Sequence, residues 1–219
     1  MLAVVWKDLI LETRSRDTVL ALFALGLIIL VVFNFALDVV PANVGRIAPG
    51  ILWVAIAFSG ISGFGRAFLI ERDNECMAAL LASPLDRGSV FLAKLLVNLA
   101  VLLAFEVMLL PVFALMFDLS LLAQAPGLVL IMGAVSLGLA ASGTLFSLPA
   151  LATRARELML PLLVLPLQVP LLMAAVKATA ALLAGSAITE IGAWGQVILA
   201  FDLLFVTCGW LAFEFITVD

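Results

Sequence analysis

Ionisable residues within stretches that are otherwise almost wholly apolar include Glu106, Asp202, Arg66 and Glu214. An acid at the middle of a bilayer costs roughly 3 kcal/mol on insertion scales, so it must face other helices and be paired or protonated. Glu106 and Asp202 are the deepest of the four; Arg66 and Glu214 fall nearer a membrane face. Such groups suit contact with a substrate or the coupling of a movement, and equally an interhelical hydrogen bond. Other chemistry is sparse. The chain has no histidine, no tyrosine and only two cysteines, Cys76 and Cys208. The commonest metal ligand and general base is therefore missing, and two thiols are too few for a thiolate metal site. The expectation is a chain with no metal and no catalytic residues of its own. It also lacks a G-x-x-x-x-G-K-[ST] stretch, so it cannot hold ATP in a P-loop.

The elements that would position these groups follow from composition. Hydrophobic residues make up 66% of the 219 and charged ones 12%, with a mean hydropathy of +1.32. A soluble domain carries about twice that charge, so the excess apolar surface must face lipid and no catalytic water-soluble domain fits. A net charge of −4 argues against nucleic acid, whose phosphates need a basic face. The fold class expected is an all-α membrane protein, one domain over 1–219. Six transmembrane helices span about 18–37, 47–70, 90–117, 128–151, 158–176 and 191–216. An amphipathic helix over 1–17 precedes them, with Leu2, Val5, Trp6, Leu9 and Ile10 on one face, apolar side down on the bilayer. Nine basic residues (Lys7, Arg14, Arg16, Arg66, Arg72, Arg87, Lys94, Arg154 and Arg156) fall on one side of this topology, against Arg46 and Lys177 on the other. The basic side is cytoplasmic, which places both termini there.

Small residues recur every four positions at Ala55, Ser59 and Gly63 and at Ala134, Gly138 and Ser142, a spacing that lets helix backbones approach closely. Packing within the chain is the expected use, with a dimer face as the alternative. Pro161, Pro166 and Pro170 each remove a helix hydrogen bond, so the fifth span is expected to be kinked or partly broken. The loop over 71–89 opens with a charged cluster and continues as a short amphipathic helix. Its Met77, Leu80 and Leu81 beside Arg72 and Glu75 form a docking surface for a soluble partner.

That loop reads Glu71-Arg72, Glu75, Leu80-Leu81, Ser83-Pro84-Leu85 and Arg87, and it joins spans two and three of six. The arrangement resembles an ABC-2-type exporter permease. Arg46-Ile47-Ala48-Pro49-Gly50-Ile51-Leu52-Trp53, Leu85-Asp86-Arg87 with Phe91, Ala93 and Lys94, and Val164-Leu165-Pro166-Leu167 with Pro170-Leu171-Leu172 resemble the CcmB family, haem exporter permeases of bacterial cytochrome c maturation. The resemblance implies a multi-pass protein of the bacterial inner membrane. Its partners would be the ATPase CcmA, which uses the ATP, the membrane subunits CcmC and CcmD, and indirectly the haem chaperone CcmE. A second copy of the chain is also implied. Glu71, Arg72, Glu75, Leu80, Leu81, Ser83, Pro84, Leu85 and Arg87 would meet the ATPase, and Arg46, Pro49 and Trp53 would lie at the periplasmic mouth. No cofactor is expected to be bound covalently; haem would be the substrate. The acidic tail from Glu214 to Asp219 departs from the basic end such a permease suggests.

Two functions of different classes follow. A transporter would pass haem outward through its helices. A coupling protein would convert ATPase motion into release of the haem-loaded chaperone without moving haem itself. The absence of histidine and tyrosine, common haem ligands, bears on that choice. The alternative outside this family is an ABC-2 permease for a lipid or another amphipathic substrate.

Overall fold

The computed structural model describes residues 5, 6, 8, 10, 17–37, 43–64, 87–119, 121–151, 156–186 and 188–216. Six long helices account for nearly all of them: α1 (Asp17–Ala36), α2 (Val44–Phe64), α3 (Arg87–Met116), α4 (Ala125–Leu151), α5 (Arg156–Leu183) and α6 (Ile188–Ile216), with a 3-10 turn at Leu121–Gln124 before α4. There is no strand among the described residues, and all six helices are long and apolar enough to cross a membrane. The expected all-α class is therefore the class observed.

A bilayer offers no hydrophobic drive for helices to associate, so their arrangement depends on how closely backbones can approach. α4 is built for that. Gly138 through Leu145, more than two turns, is buried without interruption, and five of those eight residues are glycine, alanine or serine. α4 packs against α2, α3, α5 and α6, while α1 lies outside on α2 and α3. Accordingly 67% of the spanning stretch of α4 and 72% of that of α2 are buried, against 17% for α1.

The glycines sit at these crossings. The ring of Phe64 in α2 lies against the Cα of Gly143 in α4, and Phe91 in α3 lies against Gly209 in α6. Gly60 meets Leu102 of α3 and Gly63 meets Leu22 of α1. Both small-residue stripes thus include residues that serve packing within the chain. Phe91 also stacks at a tilt on Phe213, 5.3 Å between centroids, and Trp210 covers Gly88. The start of α3 and the end of α6 consequently share one face of the bundle.

At the opposite face two helices close with a residue in the left-handed region. Gly185 (φ 67°) ends α5, where Ser186 N–H reaches Ala181 O at 2.9 Å and Gly185 N–H reaches Leu182 O at 3.1 Å. Asp118 (φ 48°) ends α3 in the same way, with Leu119 N–H donating to Ala114 O at 3.0 Å.

Several edges differ from those read in the sequence. α3 begins at Arg87, so the end of the 71–89 loop is already helical. The fifth span does not stop at 176 but runs to Leu183, because Lys177 is exposed and interrupts no packing. Nor is that helix broken: all three prolines lie inside one continuous α5. A proline ring fixes φ near its helical value, and the buried side of α5 (Val164, Leu171, Ala174 and Ala175) supplies the packing that keeps it intact. Residues 65–70 at the end of the second span, Arg66 among them, lie outside the described residues, as does the body of the 71–89 loop.

The hub role of α4 has a direct consequence for stability. Gly143→Leu forces Phe64 out of its contact and is expected to lower the thermal midpoint in detergent by several degrees. Gly133→Ala, where an added methyl meets no atom within 4 Å, is expected to leave it unchanged. Equal midpoints for the two variants would show that α4 is not the element on which the bundle closes.

Candidate functional site

Polar side chains inside the bundle converge on α4. From α3, the carboxylate of Glu106, buried with 2% exposure, accepts a short hydrogen bond from Ser136 Oγ. From α5, Gln168 Nε2 donates to Ser142 Oγ at 2.9 Å and lies 3.4 Å from Leu139 O. The Ser142 hydroxyl in turn donates to Gly138 O at 2.9 Å. From α6, Asp202 is buried with Oδ1 directly over the Cα of Gly138, beside Leu171 and Phe201. Asn98 of α3 donates to Thr144 Oγ1 at 2.8 Å. Each of these contacts exists because α4 carries a small or hydroxyl-bearing residue where its neighbour brings a long polar one.

The layer is not fully satisfied. Glu106 Oε2, Gln168 Oε1 and Asp202 Oδ1 are buried without a hydrogen-bond partner. A buried acceptor without a donor costs about 1–3 kcal/mol, so this is an expensive place to keep three of them. The two acids do not form a pair. Ser136 and Gly138 are two residues apart on α4, roughly 200° around the helix, so Glu106 and Asp202 approach it from different sides. No group of three or more Cys, Asp or Glu residues able to hold a metal occurs among the described residues.

A second polar feature lies at the face shared by the start of α3 and the end of α6. Lys94 of α3 is 1% exposed and its Nζ donates to Asp8 Oδ2 at 2.6 Å. Asp8 belongs to the amino-terminal helical residues, of which Trp6 and Ile10 are exposed. The pair holds that segment to α3. Glu106 lies twelve residues further along α3, about 18 Å deeper.

The residues singled out in the sequence fare differently. Glu106 and Asp202 are both brought to α4, on separate sides. Arg46 is exposed near the start of α2, whereas Pro49 is buried. Trp53 is fully buried two turns after Arg46, where its indole N–H donates to Thr179 Oγ1 of α5 at 2.9 Å. An indole inside an apolar bundle needs a partner for its N–H, and α5 supplies one. Pro161, Pro166 and Pro170 lie along the partly or fully exposed side of α5. Glu71, Arg72, Glu75, Leu80, Leu81, Ser83, Pro84 and Leu85 lie outside the described residues, and Arg87 opens α3.

Sequence reasoning missed Gln168, Ser136 and the Lys94–Asp8 pair. Gln168 had a readable signal, being the one polar residue between Met159 and Val176. Ser136 and Asp8 had none, since a serine in a span and an acid in an amphipathic segment are ordinary until their partners are known.

With this geometry in place, similarity to known proteins becomes informative. The family model described as CcmB protein matches residues 1–215. Heme exporter protein B of Paracoccus denitrificans (strain Pd 1222) is 30% identical over 175 residues, which cover 78% of this chain and 78% of that protein. A match over nearly the whole length, on a chain whose six helices can each cross a membrane, shows that it belongs to the CcmB family.

Proposed function

We propose that the chain is the membrane subunit of an ATP-driven haem exporter serving c-type cytochrome biogenesis. The observation that carries this reading is the similarity to a protein named heme exporter protein B, together with a six-helix membrane domain. It is read as a non-catalytic subunit of the bacterial inner membrane with both termini in the cytoplasm. CcmA hydrolyses the ATP; CcmC, CcmD and a second copy of this chain complete the membrane part, and CcmE receives the haem.

The structure supports a route for the coupling. The loop between α2 and α3 leads straight into α3, which carries Lys94 near its start and Glu106 deep in the bundle. Displacement of the loop by the ATPase would push α3 along its axis. The Lys94–Asp8 pair would draw the amino-terminal segment with it, and the Glu106–Ser136 contact would shear against α4. In this reading the chain transmits motion that leads to haem transfer or to release of the haem-loaded chaperone. The close packing around α4, and the absence of histidine and tyrosine, favour transmission over a haem channel through this chain.

Two outcomes test it. Reversing three charges together (Glu71→Lys, Arg72→Glu and Glu75→Lys) is expected to abolish co-purification with CcmA while leaving the chain in the membrane; retained co-purification would move the docking site elsewhere. Glu106→Gln keeps an acceptor for Ser136 but removes the acid. It is expected to lower the yield of mature c-type cytochrome several-fold with an unchanged elution profile in detergent, whereas normal maturation would reduce Glu106 to a packing hydrogen bond.

A further inference from the structure

Polar side chains join α3 to α4 at two levels. Ser136 Oγ donates a short hydrogen bond to Glu106 Oε1, and Asn98 Nδ2 donates to Thr144 Oγ1 at 2.8 Å. All four residues are buried. The two rungs are eight residues apart on α3 and eight apart on α4, with numbers rising on one helix as they fall on the other. They therefore belong to one antiparallel register. Leu102 and Ala140 lie midway between the rungs and are also buried, so the seam is apolar between its two polar levels.

No register within one turn of this one satisfies both rungs. Helix faces come back into line after a slide of three or four residues. One direction carries Glu106 to Leu139 or Ala140 and the other to Met132 or Gly133, and none of these has a hydroxyl. In the second direction Asn98 travels to Ala140 or Ala141. In the first it reaches the hydroxyl of Ser147 only while Glu106 faces Leu139. The Ser142 hydroxyl is already engaged, by Gln168 and by Gly138 O. A buried polar group parted from its partner bears the cost of its desolvation, and lipid supplies no water to replace the bond. Because α3 is one continuous helix through both levels, a slide opens the two rungs together.

We propose that Asn98 and Thr144 are positioning residues of the coupling machinery. With Glu106 and Ser136 they set the resting depth of α3 against α4, and the two rungs yield as a unit when α3 is displaced. The proposal rests on the reading that the loop before α3 drives that helix, and it adds a second contact that has to open. It also gives Ala140 a role. That position lies where Glu106 arrives on a slide one way and where Asn98 arrives on a slide the other way, and its methyl group can hold neither. An alanine there leaves the resting register without a rival.

The test places spin labels at Leu96 of α3 and Leu130 of α4, both exposed, in the full chain carrying Cys76→Ser and Cys208→Ser, in membranes that hold its co-produced partners. Double electron–electron resonance reads their separation, which a slide of one turn changes by about 5 Å. Without nucleotide a single distance is expected. Thr144→Val removes the hydroxyl and keeps the shape, whereas Ala140→Ser adds a hydroxyl that serves only a shifted register. Each is expected to raise the share of a second distance about fivefold, the effect of one buried hydrogen bond. Thr144→Ser retains the hydroxyl and is expected to restore the single distance. In the same membranes Thr144→Val is expected to consume several-fold more ATP per mature c-type cytochrome. An unchanged single distance in both Thr144→Val and Ala140→Ser, a second distance equally strong in Thr144→Ser, or an unchanged ATP ratio would each overturn the proposal. The distances are read without reference to haem, so failure of the haem reading is seen separately, as normal cytochrome maturation in cells lacking the chain.

Discussion

Everything in this bundle depends on how narrow α4 is. In water, helices are pressed together by the hydrophobic effect; in lipid they are not, and close backbone contact has to provide the attraction. α4 meets that requirement with glycine, alanine and serine over more than two consecutive buried turns. Four helices therefore reach its backbone, and the long polar residues they bring find hydroxyls and carbonyls there. A bulkier α4 would separate the neighbours and leave Glu106, Gln168 and Asp202 without their surroundings. Packing and polarity are in this sense one constraint: the small residues that allow contact also leave backbone carbonyls and serine hydroxyls within reach.

Much of this was legible in the sequence. Runs of about 20 apolar residues have few uses other than crossing a bilayer, so the number of spans and their order could be read directly. The small-residue stripes announced where backbones would meet. Helix ends were harder: the fifth span was expected to end at 176, yet the exposed lysine at 177 does not interrupt a helix that continues to Leu183. The prolines make a related point, since a lost hydrogen bond need not break a helix whose other face is packed. Partnerships were not legible at all. Asp8 and Lys94 are 86 positions apart, and Trp53 and Thr179 are 126 apart. No local pattern encodes which helices cross or at what depth. The loop between α2 and α3 shows the converse, for there the sequence motif alone carries the proposed ATPase contact.

The functional account links two ends of one helix. α3 emerges from the loop proposed to meet the ATPase, binds the amino-terminal segment through Lys94, and about 18 Å deeper presents Glu106 to Ser136. A rigid helix carrying a polar contact at each level is suited to passing on a displacement. The unsatisfied acceptors around α4 fit an element with a second arrangement, because a hydrogen-bond layer already complete would have nothing to gain by moving. The proposed division of roles would let a chain without histidine or tyrosine serve haem export: it would supply motion, with ligands to iron coming from elsewhere.

The most direct measurement is a pair of electron cryomicroscopy maps of the assembled complex, one nucleotide-free and one arrested with ATP bound. The account predicts that residues 71–87 seat in the ATPase subunit, and that α3 shifts along α4 between the two states so that the Glu106–Ser136 contact is made in one and broken in the other. An ATPase docked on another part of the chain, or an α3–α4 contact identical in both maps, would contradict it.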